Sequence, residues 1–244
     1  KEFLKRDLMK DCVYSKVIKE HGLTEDQAFA DSLLMLFAGL DTTARAITST
    51  MYLMKKNPKT IEKLRLELQK EGVTKDSDFS TEETKEAIHN CNYLSYVFKE
   101  IGRLDPPATG TLQRFALEEF KICGIAIPKG AIVTHSFIHF QLSHEYWHEP
   151  RKFIPERFDP EHPYSFIPTD PKKRRNPLCH TPFSQGLRKC PGQVLANIEG
   201  KFIIARLVSK MNWDINKDQL ESDDVKFTTV NPYPLLMTYQ GQVQ

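Results

Sequence analysis

The chain has 244 residues, 40% of them hydrophobic and 27% charged, and its 34 Lys and Arg against 32 Asp and Glu leave a formal net charge of +2. That length can bury a sizeable core, and the near-neutral balance lacks the basic footprint of a nucleic-acid-binding domain. The longest apolar run, residues 33–40, falls short of the roughly 18 residues a membrane-spanning helix needs, and five scattered cysteines (Cys12, Cys91, Cys123, Cys179, Cys190) make no disulfide framework.

No repeat or low-complexity tract interrupts the sequence, which predicts one compact unit over 1–244. The absence of a signal peptide and a first residue of Lys1 in place of Met lead us to expect a fragment of a longer chain. Residues up to about 104 are helical in pattern. A first helix is expected over 3–20, then a capping box in which Thr24 is answered by Gln27 opens a helix running to about Lys56. Its middle, 32–40, is apolar on every face and predicts a helix buried on all sides. Asn57-Pro58 restarts a charged helix over 60–70, stopped by Gly72, and another is expected over 92–104, stopped by Asp105-Pro106-Pro107. Strands follow at 113–117, 119–123 and 131–135, with a turn at Ile127-Pro128-Lys129-Gly130. A proline-rich, loop-rich segment over 146–187 leads to a helix over 193–210, and a last strand is expected within 225–237. The fold class is therefore mainly α with a smaller β part.

The loop Phe183-Ser184-Gln185-Gly186-Leu187-Arg188-Lys189-Cys190-Pro191-Gly192 carries the most chemistry. It sets a lone cysteine just before a helix N-terminus, where backbone N–H groups and the helix dipole favour an anionic sulfur. One thiolate cannot complete a structural zinc site, but it can be the fifth ligand of a haem iron. In the 92–104 helix, Glu100 and Arg103 share a face with Tyr93, Tyr96, Val97 and Leu104, and Arg157 of Phe153-Ile154-Pro155-Glu156-Arg157-Phe158 can fork onto the same carboxylate. Ala38-Gly39-Leu40-Asp41-Thr42-Thr43 places polar groups inside an apolar helix, where Thr can bond back to a carbonyl one turn earlier and a local opening could hold water; a simple kink is the alternative. Lys172-Lys173-Arg174-Arg175 reads as a solvated run or a docking surface for an acidic electron donor. His135 and His139, then His144 and His148, form two i,i+4-type pairs that could suggest a metal site, but the first pair falls in a strand-to-turn region where that spacing does not put both on one face, and zinc is not expected.

Phe183-x-x-Gly186-x-Arg188-x-Cys190-x-Gly192, continuing to Ala196 and Glu199, resembles the haem-binding signature of the cytochrome P-450 family. The resemblance extends from near Thr24 to the last strand and corresponds to the C-terminal half of a family member. It implies the P-450 fold, with its N-terminal half and any membrane anchor lying outside this chain, and haem as cofactor. Cys190 becomes the axial thiolate, Phe183 packs beside the sulfur, Gly192 closes the motif, and Arg188 and Arg114 bind the propionates. Glu100, Arg103 and Arg157 become a scaffold triad. Asp41 and Thr42 align with the acid–alcohol pair that delivers protons during dioxygen reduction, with Ala38 on the face toward the haem. Departures are mild: Ser184 stands for a common glycine, Asp105 for a common histidine, Gln141 for a common histidine and His144 for a proline.

The implied activity is monooxygenation of a small hydrophobic substrate with O2, electrons coming from a reductase that docks on the Cys190 side and draws ultimately on NADPH. A haem-thiolate isomerase or dehydratase, and a non-catalytic haem-binding protein, are the alternatives; the intact Asp41-Thr42 pair speaks against the former. Leu34, Phe37, Ala38, Ala108 to Thr111 and Asn231 to Tyr233 are the pocket candidates. Likeness of the Ile127 to Gly130 turn and the Pro155 to Phe158 motif to microsomal members implies the endoplasmic reticulum membrane, reached through an anchor upstream of Lys1.

Overall fold

The computed structural model describes residues 20, 22–221 and 236–243. By packing, the chain divides into two units, Lys1–Ala44 and Arg45–Gln244. The expected helix over 3–20 and pocket candidates 231–233 lie outside the described residues, apart from Glu20.

In the first unit the capping box forms as its residue types require. Thr24 N donates to Gln27 Oε1 at 2.9 Å, and Gln27 N donates to Thr24 Oγ1 at 3.2 Å. Helix α1 (Glu25–Lys56) starts there, with Glu25 and Asp26 against the positive end of its dipole. It runs without interruption through Gly39, Asp41 and Thr42. The expectation of burial on all sides is corrected: Leu33, Leu34, Met35, Leu36, Leu40 and Phe37, the last 71% exposed, find no cover among the described residues. The apolar pattern records a demand for packing partners that these residues do not supply.

The second unit contains the end of α1, then α2 (Pro58–Lys70), α3 (Glu82–Asn90) and α4 (Asn92–Leu104). Pro58 pre-sets the first turn of α2. The chain leaves that helix through Gly72 at φ +82°, with Val73 N on Leu68 O at 2.7 Å. Helix α3 was not anticipated; its sign is Thr81 before Glu82 and Glu83, and the Thr81 side chain accepts from Thr84 N at 3.3 Å. The Glu67 carboxylate of α2 caps the next helix from outside, accepting from Tyr93 N at 2.7 Å and Leu94 N at 3.0 Å.

Among the described residues, four two-stranded antiparallel sheets follow. Strand β1 (Arg114–Phe115) pairs β4 (Ile132–Val133), and β2 (Phe120–Ile122) pairs β3 (Ile125–Ile127) across a Cys123-Gly124 turn with φ +50° and +82°. Two positive φ values match the twist of a tight hairpin. The unexpected short helix α5 (Phe137–Gln141) comes next. The proline-rich segment is more ordered than expected, with 3-10 turns at Pro155–Phe158, Pro163–Ser165 and Pro177–Cys179, and a hairpin of β5 (Phe166–Ile167) and β6 (Asp170–Arg174). Helix α6 (Gln193–Lys210) spans the expected range and leads into β7 (Met211–Ile215) and α7 (Lys217–Glu221). Most of the range expected for the last strand, 225–235, lies outside the described residues; β8 (Met237–Gln242) starts at the end of that range and pairs with β7, for which no strand was expected.

The core sits where α2, α4 and α6 present apolar stripes at helical spacing. Leu64 and Leu68 meet Leu94, Val97 and Ile101, with Ile204 and Val208 completing the packing. Helices α4 and α6 approach so closely at Gly200 that a Cβ there would lie 2.5 Å from two ring carbons of Phe98.

Candidate functional site

Helix α4 carries Glu100 inward. Its carboxylate is fully buried, as are both guanidinium groups that meet it. Arg103 donates to it through Nε at 2.7 Å and Nη2 at 2.8 Å, Arg157 through Nε at 3.0 Å, and Ile154 through its backbone N–H at 2.9 Å. One carboxylate cannot neutralise two arginines, and carbonyl oxygens supply the rest. Arg103 donates to Gln141 O, Pro150 O and Lys152 O; Arg157 donates to His148 O, Glu149 O and Lys152 O. These bonds pin a loop with little regular structure, as a buried charge pair requires if desolvation is to be offset. Burial lowers the Arg157 pKa, and the Glu100 charge opposes that shift.

The three arginines nearest this centre surround one indole. Arg103 lies 5.1 Å, Arg157 5.9 Å and Arg175 4.2 Å from the Trp147 ring. Arg175 donates to Arg157 O at 2.6 Å and to Tyr164 O, and burial brings its pKa down to about 10. Arg174 donates to Pro160 O at 2.6 Å and to Ser165 Oγ. The basic run is therefore split: its arginines are structural, while Lys172 and Lys173 remain exposed. Neither the Arg175 role nor that of Trp147 was anticipated. The only sequence sign was an aromatic residue near a cluster of arginines.

Three contacts join the end of α4 to the segment before Cys190. A Cβ on Gly102 would lie 3.1 Å from Pro182 Cγ, so this glycine makes room for the loop. His180 Nε2 lies 3.1 Å from Lys99 O, and its ring sits against Phe158 at 4.9 Å; burial takes its pKa down to about 4. The buried Gln141 side chain spans Gly102 O, Arg103 O and Thr181 N. Next to it, burial raises the Cys179 thiol pKa to about 11.

Beyond Thr181 the loop closes on itself. Ser184 N donates to Thr181 O at 2.9 Å, and Cys190 N donates to Phe183 O at 2.9 Å. Ser184 at φ +62° and Gly186 at φ +74° turn the chain. A Cβ on Gly192 would lie 3.8 Å from Cys190 Sγ, and Gly192 is the N-cap of α6. Phe183, Cys190 and Gly192 thus come together, with the half-buried sulfur at a helix N-terminus. Val194, Leu195 and Ile198 extend an exposed apolar strip along that helix. Arg188 lies in the same loop and Arg114 on β1; both are exposed, and neither guanidinium has a protein partner among the described residues.

In the first unit, Thr42 Oγ1 donates back to Ala38 O at 2.7 Å, the expected one-turn bond, and Asp41 is exposed beside it.

A family model described as Cytochrome P-450 matches residues 2–238. Cytochrome P-450 3A6 of Oryctolagus cuniculus is 30% identical over 212 residues, covering 86% of this chain and 39% of that protein. Cytochrome P-450 monooxygenase tpeC of Talaromyces stipitatus is 30% identical over 200 residues, covering 81% and 36%. Cytochrome P-450 4e5, mitochondrial, of Drosophila mettleri is 26% identical over 228 residues, covering 93% and 41%. The chain spans about two-fifths of the length of these relatives.

Proposed function

The chain belongs to the cytochrome P-450 family, and from that premise we propose that the protein is a haem-thiolate monooxygenase oxidising a small hydrophobic substrate with O2. The observation that carries the proposal is the Cys190 loop: a half-buried sulfur held at a helix N-terminus by the Cys190 N–Phe183 O bond, with the exposed strip of Val194, Leu195 and Ile198 following it. A haem suits this donor set. The soft thiolate of Cys190 would ligate the iron, the apolar strip would suit the porphyrin, and Arg114 and Arg188, with no protein partner among the described residues, would match two propionates. When bound, haem supplies the dioxygen-activating redox chemistry.

The chain's own residues do the rest. Cys190 would hold the iron through its sulfur, with Phe183 shielding that sulfur from water and Gly192 serving as the N-cap of the helix that follows it. Arg114 and Arg188 would hold the propionates. Asp41 and Thr42 move the protons that dioxygen reduction consumes; in the resting helix the Thr42 hydroxyl proton is parked on Ala38 O. Ala38 keeps that face free of bulk, and Leu34 and Phe37 offer apolar surface to a substrate. A reductase drawing on NADPH docks on the Cys190 side, where Lys189 of the same loop is exposed; Lys172 and Lys173 are exposed as well and are further candidates for an acidic donor. We place the protein at the endoplasmic reticulum membrane by its likeness to microsomal members; among the described residues no helix is long and apolar enough to cross a membrane. Cell fractionation separates that location from the mitochondrial one in the name of a matched relative.

The test is the ferrous–CO spectrum of the complete protein. A red-shifted Soret band of the thiolate type, lost in Cys190→Ser, is expected. A neutral-ligand band with Cys190 intact overturns the reading. Reductase-driven NADPH consumption coupled to product separates an enzyme from a haem carrier.

A further inference from the structure

Helix α4 ends in the usual way, with backbone carbonyls that have no partner inside the helix. Ile101 O is taken by Asp105 N. Gly102 O and Arg103 O are taken by one side chain, since Gln141 Nε2 donates to them at 3.0 Å and 3.1 Å. The other end of the same amide faces the opposite way: Oε1 accepts from Thr181 N at 3.2 Å. The backbone carbonyl of Gln141 accepts from Arg103 Nη1 at 2.8 Å. Gln141 is 0% exposed, so no water can substitute for these partners.

The bond to Thr181 reaches the sulfur in a few steps. Thr181 O holds Ser184 N, closing the turn that contains Phe183, and Phe183 O holds Cys190 N. Pro182 rests against Gly102 and His180 Nε2 is hydrogen-bonded to Lys99 O at one point, while the Gln141 amide bridges the segment to two carbonyls at the end of that helix and so fixes its register there. Glutamine is suited to this because its amide has two donors for two carbonyls and an acceptor for one N–H.

We propose that Gln141 is the positioning residue for Cys190, fixing the loop against the Glu100–Arg103 helix so that the sulfur is held as a ligand. The inference rests on the haem-thiolate reading, but its test separates the two. Gln141→Leu keeps the volume and strands two carbonyls and one N–H in a buried place. In the complete haem-loaded protein, the ratio of thiolate-type to neutral-ligand ferrous–CO bands falls about tenfold, on the scale of losing one buried hydrogen bond, while haem content stays. In the haem-free protein, alkylation of Cys190, followed by peptide mass spectrometry, speeds up about tenfold for the same reason. Gln141→His restores both readouts, because a neutral imidazole keeps one donor and one acceptor on opposite edges.

Val208→Ala, which opens the buried α6 packing away from the loop, is the stability control. If it loses as much melting temperature as Gln141→Leu and shifts both readouts equally, or if Gln141→Leu matches the wild type, the proposal is overturned. Should Gln141→Leu fail to fold, Gln141→Asn, one methylene too short to span the partners, carries the same expectation. A wild type with only a neutral-ligand band overturns the haem-thiolate reading, and the alkylation arm then still decides the role of Gln141.

Discussion

Removing the Glu100 carboxylate is the sharpest test of how this scaffold is held. Its two oxygens are used unequally: Oε1 accepts from Arg103 Nη2, Ile154 N and Arg157 Nε, while Oε2 accepts from Arg103 Nε alone. Glu100→Gln can keep its oxygen at the Oε1 position and retain three acceptor contacts. It then turns an NH2 group onto Arg103 Nε and removes the negative charge from between two buried guanidinium groups. Glu100→Ala loses all four contacts. Charge-assisted hydrogen bonds are worth about 1.5–3 kcal/mol each, but they are not additive, and removing one partner of a buried pair costs about 3–5 kcal/mol. We expect Glu100→Gln near the bottom of that range and Glu100→Ala at or above the top, against a total stability of about 5–15 kcal/mol. Urea titration of the complete protein, with the slope checked for two-state behaviour, measures the loss. A loss below about 1 kcal/mol for Glu100→Gln would make the charge dispensable, and equal losses for the two variants would make the three retained contacts worthless; either result refutes the reasoning.

Gly200→Ala puts a Cβ 2.5 Å from two Phe98 ring carbons and costs about 1–3 kcal/mol by overpacking; adding Phe98→Leu in a double-mutant cycle recovers part of that loss, and strict additivity contradicts the contact. His180, whose pKa is lowered by burial from the ordinary 6.5 to about 4, gives a pH signature. Between those values the unfolded chain takes up the proton first, so the neutral ring's contribution is complete above the unfolded value. It is lost as pH falls through about 4, with an upper limit of about 3 kcal/mol. Urea midpoints across that window check it, and His180→Phe flattens the dependence. Thr42→Ala removes the hydroxyl that donates to Ala38 O at 2.7 Å; product formed per electron consumed falls about tenfold or more if Thr42 carries protons, and an unchanged ratio excludes that role.

What could be read in the sequence was local. The Thr24–Gln27 capping box, the Pro58 start and the Gly72 stop each follow from residues at the turn itself, and the extents of α4 and α6 from their apolar spacing, although the first N–H groups of α4 are capped by Glu67 of another helix. The Glu100–Arg157 bond was legible because a charge on an apolar helix face must find a partner. Gln141 was not, since its three bonds go to backbone atoms at positions 102, 103 and 181, and no pattern in a sequence reveals which carbonyls will be left over at a distant helix end. The same holds for Arg175, which a charge run made look like surface. Strand β7 was missed because its partner, Met237–Gln242, is more than twenty residues further along the chain, and nothing local to Met211–Ile215 reveals that pairing.

The distribution of order follows from what each segment must offset. Residues 146–182 have little regular structure, yet their carbonyls at His148, Glu149, Pro150 and Lys152 all point at buried guanidinium groups. In a helix or strand those oxygens would already be spent on backbone N–H groups. A charged centre solvated by carbonyl dipoles therefore needs an irregular segment around it, and proline favours such a segment by removing competing N–H donors and fixing φ. Irregularity here is a structural requirement imposed by two arginines sharing one glutamate. It also accounts for the direction of the dependence: the loop that presents Cys190 takes its position from α4 through side chains, and α4 takes its own from the packed faces of α2 and α6. A change in the core is shared among many contacts before it reaches the sulfur, whereas a change at Gln141 reaches it through one amide.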